Sequence, residues 1–167
     1  LKPEESYLLL LDADMEVPPN VVKPKVFPEI GLLPQHSPGG LTWWNVRIIR
    51  GDSDAKYVGR THEFISHSGS PIRYDWFTIN DHCDGGCRAD KYERDERLLR
   101  LDLKDNPNNG RSMFYLAQTL QSLHRFNEAI EWYDRRDKAG GFEEECWMGR
   151  WEASQCCAAM GKIEEAN

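Results

Sequence analysis

Tyr7-Leu8-Leu9-Leu10-Leu11-Asp12-Ala13-Asp14-Met15-Glu16-Val17 is an apolar run that turns abruptly acidic, and its reading decides the fold. Four consecutive leucines without alternation predict a central parallel strand, buried on both faces. Ligands of such sheets bind beyond the carboxyl ends of the strands, which is where Asp12 and Asp14 fall. Two carboxylates one residue apart suit a hard divalent cation, and the cation in turn can hold a diphosphate. The same short pattern also describes an ordinary solvated turn, so the residues alone leave both readings open.

Downstream of this run, residues 18–38 hold six of the nine prolines. A segment of that composition is expected to be neither helix interior nor central strand, because proline lacks the N–H that both ladders need. Trp43 to Ile49 (WWNVRII) and Ile72 to Ile79 (IRYDWFTI) are β-branched or aromatic and bounded by Gly and Asp, which predicts two strands. Asp84-Gly85-Gly86 predicts a turn after the second. Beyond Ala89 the spacing of apolar residues changes to the helical period. The chain therefore divides into an α/β part, residues 1–89, and an all-α part, residues 90–167.

The helical part carries a near-repeat. A helix from Lys91 to Lys104 stops at Asn106-Pro107-Asn108-Asn109, and the next places Met113, Leu116, Ala117, Leu120 and Leu123 on one face. After a turn at His124-Arg125-Phe126, Asn127 is the expected cap of a third helix. The pattern returns from Ala158 to Ala166, with Ala129 and Ala166 in equivalent positions 37 residues apart. That spacing is near the period of about 34 residues found in helix-turn-helix arrays, which need three or more units for stability. Residues 91–167 resemble tetratricopeptide repeats through Phe114, Leu116, Ala117, Leu120, Ala129 and the closing Gly161…Glu165-Ala166. They depart from that pattern at Arg136, where a small residue is usual, and at Gly140-Gly141, where a proline is usual.

With these parts in order, the chain resembles family-two glycosyltransferases of the A-type fold fused to tetratricopeptide repeats. The resemblance rests on YLLLLDADMEV, on Arg47-Ile48-Ile49-Arg50, on Tyr57 to Glu63 (YVGRTHE), on Ile79-Asn80-Asp81-His82 and on Lys91 to Asp95 (KYERD). It implies that Asp12 helps to hold a UDP- or GDP-sugar, that Asp12 and Asp14 bind Mn²⁺ or Mg²⁺, and that His82 completes the metal shell. An imidazole beside carboxylates is compatible with Mn²⁺. It also implies that Glu63 is the base of an inverting transfer, taking the proton of the attacking acceptor hydroxyl, and that Lys91 and Arg94 reach the diphosphate. The acceptor would be a sugar or protein, and the repeats would bind a peptide or self-associate. The resemblance further places the chain as the C-terminal half of a catalytic domain whose nucleotide-gripping half precedes it, with the expectation that this segment alone does not turn over. Rival classes are a repeat-based binding module carrying an inactive catalytic remnant, and a metal-dependent hydrolase using Asp12, Asp14 and His82.

Charge and cysteine content narrow the classes further. Across 167 residues, 21 Lys and Arg stand against 28 Asp and Glu, a net charge of −7 that disfavours nucleic acid as a partner. The longest strongly apolar run, Tyr7 to Leu11, is far short of the ~20 residues a membrane-spanning helix needs. Five cysteines without framework spacing suggest reduced thiols, as in a cytoplasmic protein. His82, Cys83 and Cys87 offer three zinc donors, but no fourth stands at a finger-like spacing. Trp43, Trp44 and Trp76 suit either core packing or a platform for a sugar ring.

Overall fold

The β-branched and apolar residues between Ile30 and Arg50 build the centre of a mixed β-sheet, and the helical periods after Asp90 build four helices. The computed structural model describes residues 2, 5–19, 21, 28–83 and 90–162. The turn at Asp84-Gly85-Gly86, Cys87 and the closing Glu165-Ala166 lie outside them. The chain forms two compact units, one of Leu1–Val58 with Phe64–Gly86 and the other of Gly59–Glu63 with Cys87–Asn167.

In the first unit, β1 (Tyr7–Leu9), β2 (Met15–Glu16), β3 (Ile30–His36), β4 (Thr42–Arg50), β7 (Ile72–Arg73) and β8 (Ile79–Asp81) form one sheet in the order β1-β4-β3-β8-β2, with β7 also on β3. A short ribbon pairs β5 (Lys56–Val58) with β6 (Phe64–Ser66). β3 and β4 are antiparallel from Ile30↔Ile49 to His36↔Thr42, while β3 runs parallel to β7 and β8. Leu33, Ile48 and Ile79 form the buried centre, with Tyr7, Met15, Tyr74, Trp76 and Phe77 packed against it.

Three expectations are corrected here. The leucine run is not a central parallel strand, because β1 is an antiparallel edge strand with Leu8↔Ile49 in register. Leu8 is 58% and Leu9 43% exposed. An apolar run shows fitness for burial but cannot name the neighbour that covers it, and among the described residues β1 pairs along one side only. The proline segment does contribute a central strand, since β3 carries Pro34. Pro34 lies opposite Trp44 and falls between the pairing of β3 to β7 at Gly31 and Leu32 and its pairing to β8 at Gln35 and His36. That gap removes the demand for a donor on this edge. Finally, Ile72 to Ile79 is two strands: the Tyr74 N–H donates to the Leu32 carbonyl of β3, and Tyr74 and Trp76, with ring centroids 4.0 Å apart, pack against the buried centre before β8 begins.

In the second unit, α1 (Lys91–Asp105), α2 (Gly110–Ser122), α3 (Phe126–Ala139) and α4 (Glu143–Ala159) pack each against the next. Their shared core is Leu99, Leu103, Met113, Phe114, Leu116, Ala117, Leu120, Ala129, Tyr133 and Cys156. Asn109 caps α2 by accepting from the Ser112 N–H at 3.2 Å, so Asn106-Pro107-Asn108-Asn109 both stops one helix and starts another. Asn127 does not cap α3, which begins one residue earlier with no side-chain cap. The same turn closes α2 and α4: the Arg125 N–H donates to the Leu120 carbonyl and the Lys162 N–H to that of Cys157, 37 residues on. His124 and Gly161 supply the left-handed residue of each.

Arg136, a departure from the repeat pattern, is a tie. It is 2% exposed and donates to the carbonyls of Gly140 and Phe142 and to the Glu145 carboxylate. It thereby fastens the end of α3 to the start of α4 around Gly140 and Gly141, whose φ values of 66° and 95° favour glycine. Gly149 lets α4 approach closely, since a Cβ there would stand 3.3 Å from the Tyr133 ring.

Candidate functional site

Antiparallel pairing of β2 with β8 joins the acidic loop to the predicted metal histidine. Met15 faces Asp81 and Glu16 faces Asn80. One step further, the His82 N–H donates to the Asp14 carbonyl at 3.0 Å. The loop between β1 and β2 turns on a bond from the Met15 N–H to the Asp12 carbonyl, and it leaves Asp12 exposed and Asp14 half-buried.

Beneath this loop lies a polar network that the reading of the carboxylates did not include. Arg47, on the interior strand β4, has a side chain only 7% exposed and forms an ion pair with Asp12, which is 62% exposed, at 3.1 Å. Its Nη1 donates to the Leu10 carbonyl and its Nε to Gln35 Oε1 at 2.9 Å. Gln35 is 1% exposed and passes its amide donor to Asp81 Oδ2 at 3.3 Å. A ring of contacts therefore runs Asp12, Arg47, Gln35, Asp81, then along the chain to His82, and back through Asp14. The sequence held a signal for it. A charged residue inside Trp43 to Ile49 must find buried partners, because an unpaired buried charge is prohibitively costly.

Residue types at this end of the sheet fit a hard cation, namely two carboxylates from a loop and an imidazole from a strand end. The side chains themselves are engaged elsewhere. Asp12 meets Arg47, and His82 Nε2 lies 3.3 Å from Glu16 Oε2. Among the described residues no three His, Cys, Asp or Glu side chains converge as a metal-holding group. His82 is exposed, and Cys83 donates its N–H to Asp81. Trp76 belongs to the core, while Trp44 lies with its ring centroid 5.4 Å from the Arg73 guanidinium.

Glu63, Lys91 and Arg94 belong to the helical unit. The segment bearing Glu63 is pinned to α1 and α2. Arg60 pairs with Asp102 and Asp105 at 2.7 Å each, Thr61 donates to Asp95, and Arg111 donates to the His62 carbonyl. His62 takes a left-handed φ of 51° and stacks on Tyr115 with ring centroids 4.1 Å apart. Burial pushes its imidazole below the ordinary histidine value, against the pull of Asp95, with Lys91 and Arg111 adding to the downward shift. Glu63 itself is exposed. Lys91, half-buried, joins His62, Asp95, Gln118, Gln121 and Glu152 around a cavity of about 330 Å³. Arg94 is tied to Asp95, which is 1% exposed.

No family model and no curated protein matches the chain. Among the described residues no helix is long and apolar enough to cross a membrane.

Proposed function

We propose that this protein is a metal-dependent glycosyltransferase of the A-type fold with tetratricopeptide-like repeats, moving a sugar from a UDP- or GDP-sugar to a hydroxyl of a sugar or protein acceptor. The observation that carries the reading is the backbone bond from His82 to Asp14, which sets the acidic loop beside the strand end bearing the histidine. Asp12 and Asp14 would hold Mn²⁺ or Mg²⁺ with His82. When bound, the cation neutralises charge on the departing nucleoside diphosphate. Glu63, exposed at the end of the pinned Arg60-Thr61-His62 segment, would accept the acceptor's proton, giving inversion.

One feature favours a second reading, a binding module carrying an inactive remnant. Trp147 and Trp151, one turn apart on α4, are 63% and 53% exposed and suit a peptide or a second copy. Asp14→Ala separates the two. With a panel of UDP- and GDP-sugars and Mn²⁺, release of nucleoside diphosphate by the full-length protein should fall at least 100-fold in the variant, on the scale of losing a main charge-stabilising group. Unchanged release in Asp14→Ala would sink the transferase reading.

A further inference from the structure

We infer that the cavity of the helical unit bounded by α1, α2, α4 and His62 is a binding site for a neutral saccharide. The inference goes beyond the transferase reading and uses none of Asp12, Asp14, Glu63 or His82. The cavity encloses about 330 Å³, at the small end of the roughly 300–1,000 Å³ typical of ligand pockets. Among the described residues no Ala, Val, Leu, Ile, Met or Pro lines it. Lipid tails and the apolar anchors of a peptide would find little surface there to bury against. A sugar suits such a lining because each of its hydroxyls donates and accepts at once, as do the amides of Gln118 and Gln121 and the hydroxyls of Thr119 and Ser122. Charge points to a neutral ligand. Lys91 and Glu152 balance each other, Asp95 is paired with Arg94 at 3.0 Å, and burial pushes the His62 imidazole below its ordinary value, so that the ring is uncharged at neutral pH.

Two groups of lining side chains are held in fixed positions. In the first, Asp95 is 1% exposed and takes both the Thr61 hydroxyl and the Arg94 guanidinium on Oδ1, at 3.0 Å each. Its Oδ2 lies 3.9 Å from His62 Nε2, beyond the ~3.2 Å reach of a direct hydrogen bond. One ligand hydroxyl between them would bond to both, as bridging waters do across such gaps. His62 is held there by its left-handed φ of 51°, its stack on Tyr115 and the Arg111 bond to its carbonyl. Backbone strain of this kind persists only where the surroundings fix it, and it clusters at ligand sites. In the second group, Gln121 Oε1 accepts from the Tyr133 hydroxyl at 2.7 Å and its Nε2 donates to Glu152 Oε2 at 2.9 Å, which leaves one orientation of the amide. The second N–H of that amide and Oε1 of Glu152 then stand as donor beside acceptor, the pair that two neighbouring ring hydroxyls require. Tyr92, 39% exposed, adds an aromatic ring against which the C–H face of a sugar packs.

The test is saturation-transfer NMR on the whole chain with the methyl glycosides of glucose, galactose, mannose, xylose and N-acetylglucosamine, and with alanine and acetate as charged probes. At least one glycoside should receive saturation, and alanine and acetate should not displace it. Glu152→Gln keeps the size of the side chain and a partner for Gln121 but removes the charged acceptor, so it should weaken that glycoside about 10-fold or more. Tyr92→Leu, which removes the ring at a partly exposed position, should weaken it by a similar factor. Trp147→Ala, on α4 but outside the cavity lining, should leave the affinity unchanged. Either cavity variant decides the matter once its thermal melt matches that of the unaltered chain. Saturation of none of the glycosides overturns the inference, as does undiminished binding in a folded Glu152→Gln or Tyr92→Leu variant. Displacement by alanine or acetate would assign the cavity to a charged ligand and overturn it equally. None of these failures touches the transferase reading, whose own test runs through Asp14.

Discussion

His62 shows how much a single residue of the helical unit constrains. Its ring stacks on Tyr115, which the Arg111 guanidinium also approaches, 4.7 Å from the ring centroid. Burial lowers its proton affinity in the folded state. The unfolded chain then binds more protons than the folded one between the depressed value and the ordinary value near 6.5, so stability falls as pH drops through that window. Glu128, Asp52 and Asp54 have carboxyls held low by Arg125, Arg50 and Ser68 respectively, so their contribution is lost only at lower pH, below the ordinary carboxylate range. The expected outcome is a melting temperature that declines between pH 7.5 and 5.5. In His62→Asn, which tolerates the left-handed backbone, that decline should flatten, and an unchanged slope would contradict the assignment. Asp12, Asp14 and His82 stand out in the sequence because each ends an apolar or strand-like run, and what the structure adds is a backbone bond from the His82 N–H to the Asp14 carbonyl. Arg47 and Gln35 do not stand out, because hydrogen-bond partners 12 and 35 residues away emerge only when β3, β4 and the loop are brought together.

At the scale of elements, the helices were the most readable, since a 3.6-residue period specifies one face without reference to partners. Met113, Leu116, Ala117 and Leu120 are buried on the expected face of α2. Strands were less so. Pairing depends on distant neighbours, and neither the edge position of β1 nor the central place of β3 with Pro34 follows from local pattern. Arg136 joins two helices rather than filling a core. Removing it by Arg136→Ala leaves the Gly140 and Phe142 carbonyls without their buried donor and, among the described residues, Glu145 with Arg111 alone, 3.4 Å away. Loss of one partner of a buried pair costs about 3 kcal/mol. Urea unfolding of the variant should show a loss of that order, and a loss below about 0.5 kcal/mol, the size of a surface change, would show that the tie is dispensable. Gly149→Leu should be destabilising as well, by about 1–3 kcal/mol, because the added side chain meets Tyr133 and Phe114. A thermal melt checks it, with an unchanged midpoint as the contrary result.

Over the whole molecule, a mixed sheet is followed by a four-helix region, and the residues singled out by sequence divide between two compact units. Asp12, Asp14 and His82 belong to the sheet, whereas Glu63, Lys91 and Arg94 belong with the helices. The partition does not follow the chain, because Gly59–Glu63 leaves the β5–β6 ribbon to join α1 through Arg60 and Thr61 and α2 through the His62 carbonyl. Sequence composition marked the change at residue 90 but not this excursion, whose cause is a set of specific ion pairs. The proposed transfer requires that the acidic loop bind a nucleotide-sugar through a divalent cation. Its most direct test is protection of the full-length protein against heat by UDP- and GDP-sugars with and without Mn²⁺. At 100 times the dissociation constant, binding should stabilise by about 2.7 kcal/mol, and the expected shift needs both sugar nucleotide and Mn²⁺ and disappears in Asp14→Ala. No shift with any sugar nucleotide, or one that survives without Mn²⁺ or in Asp14→Ala, would contradict it.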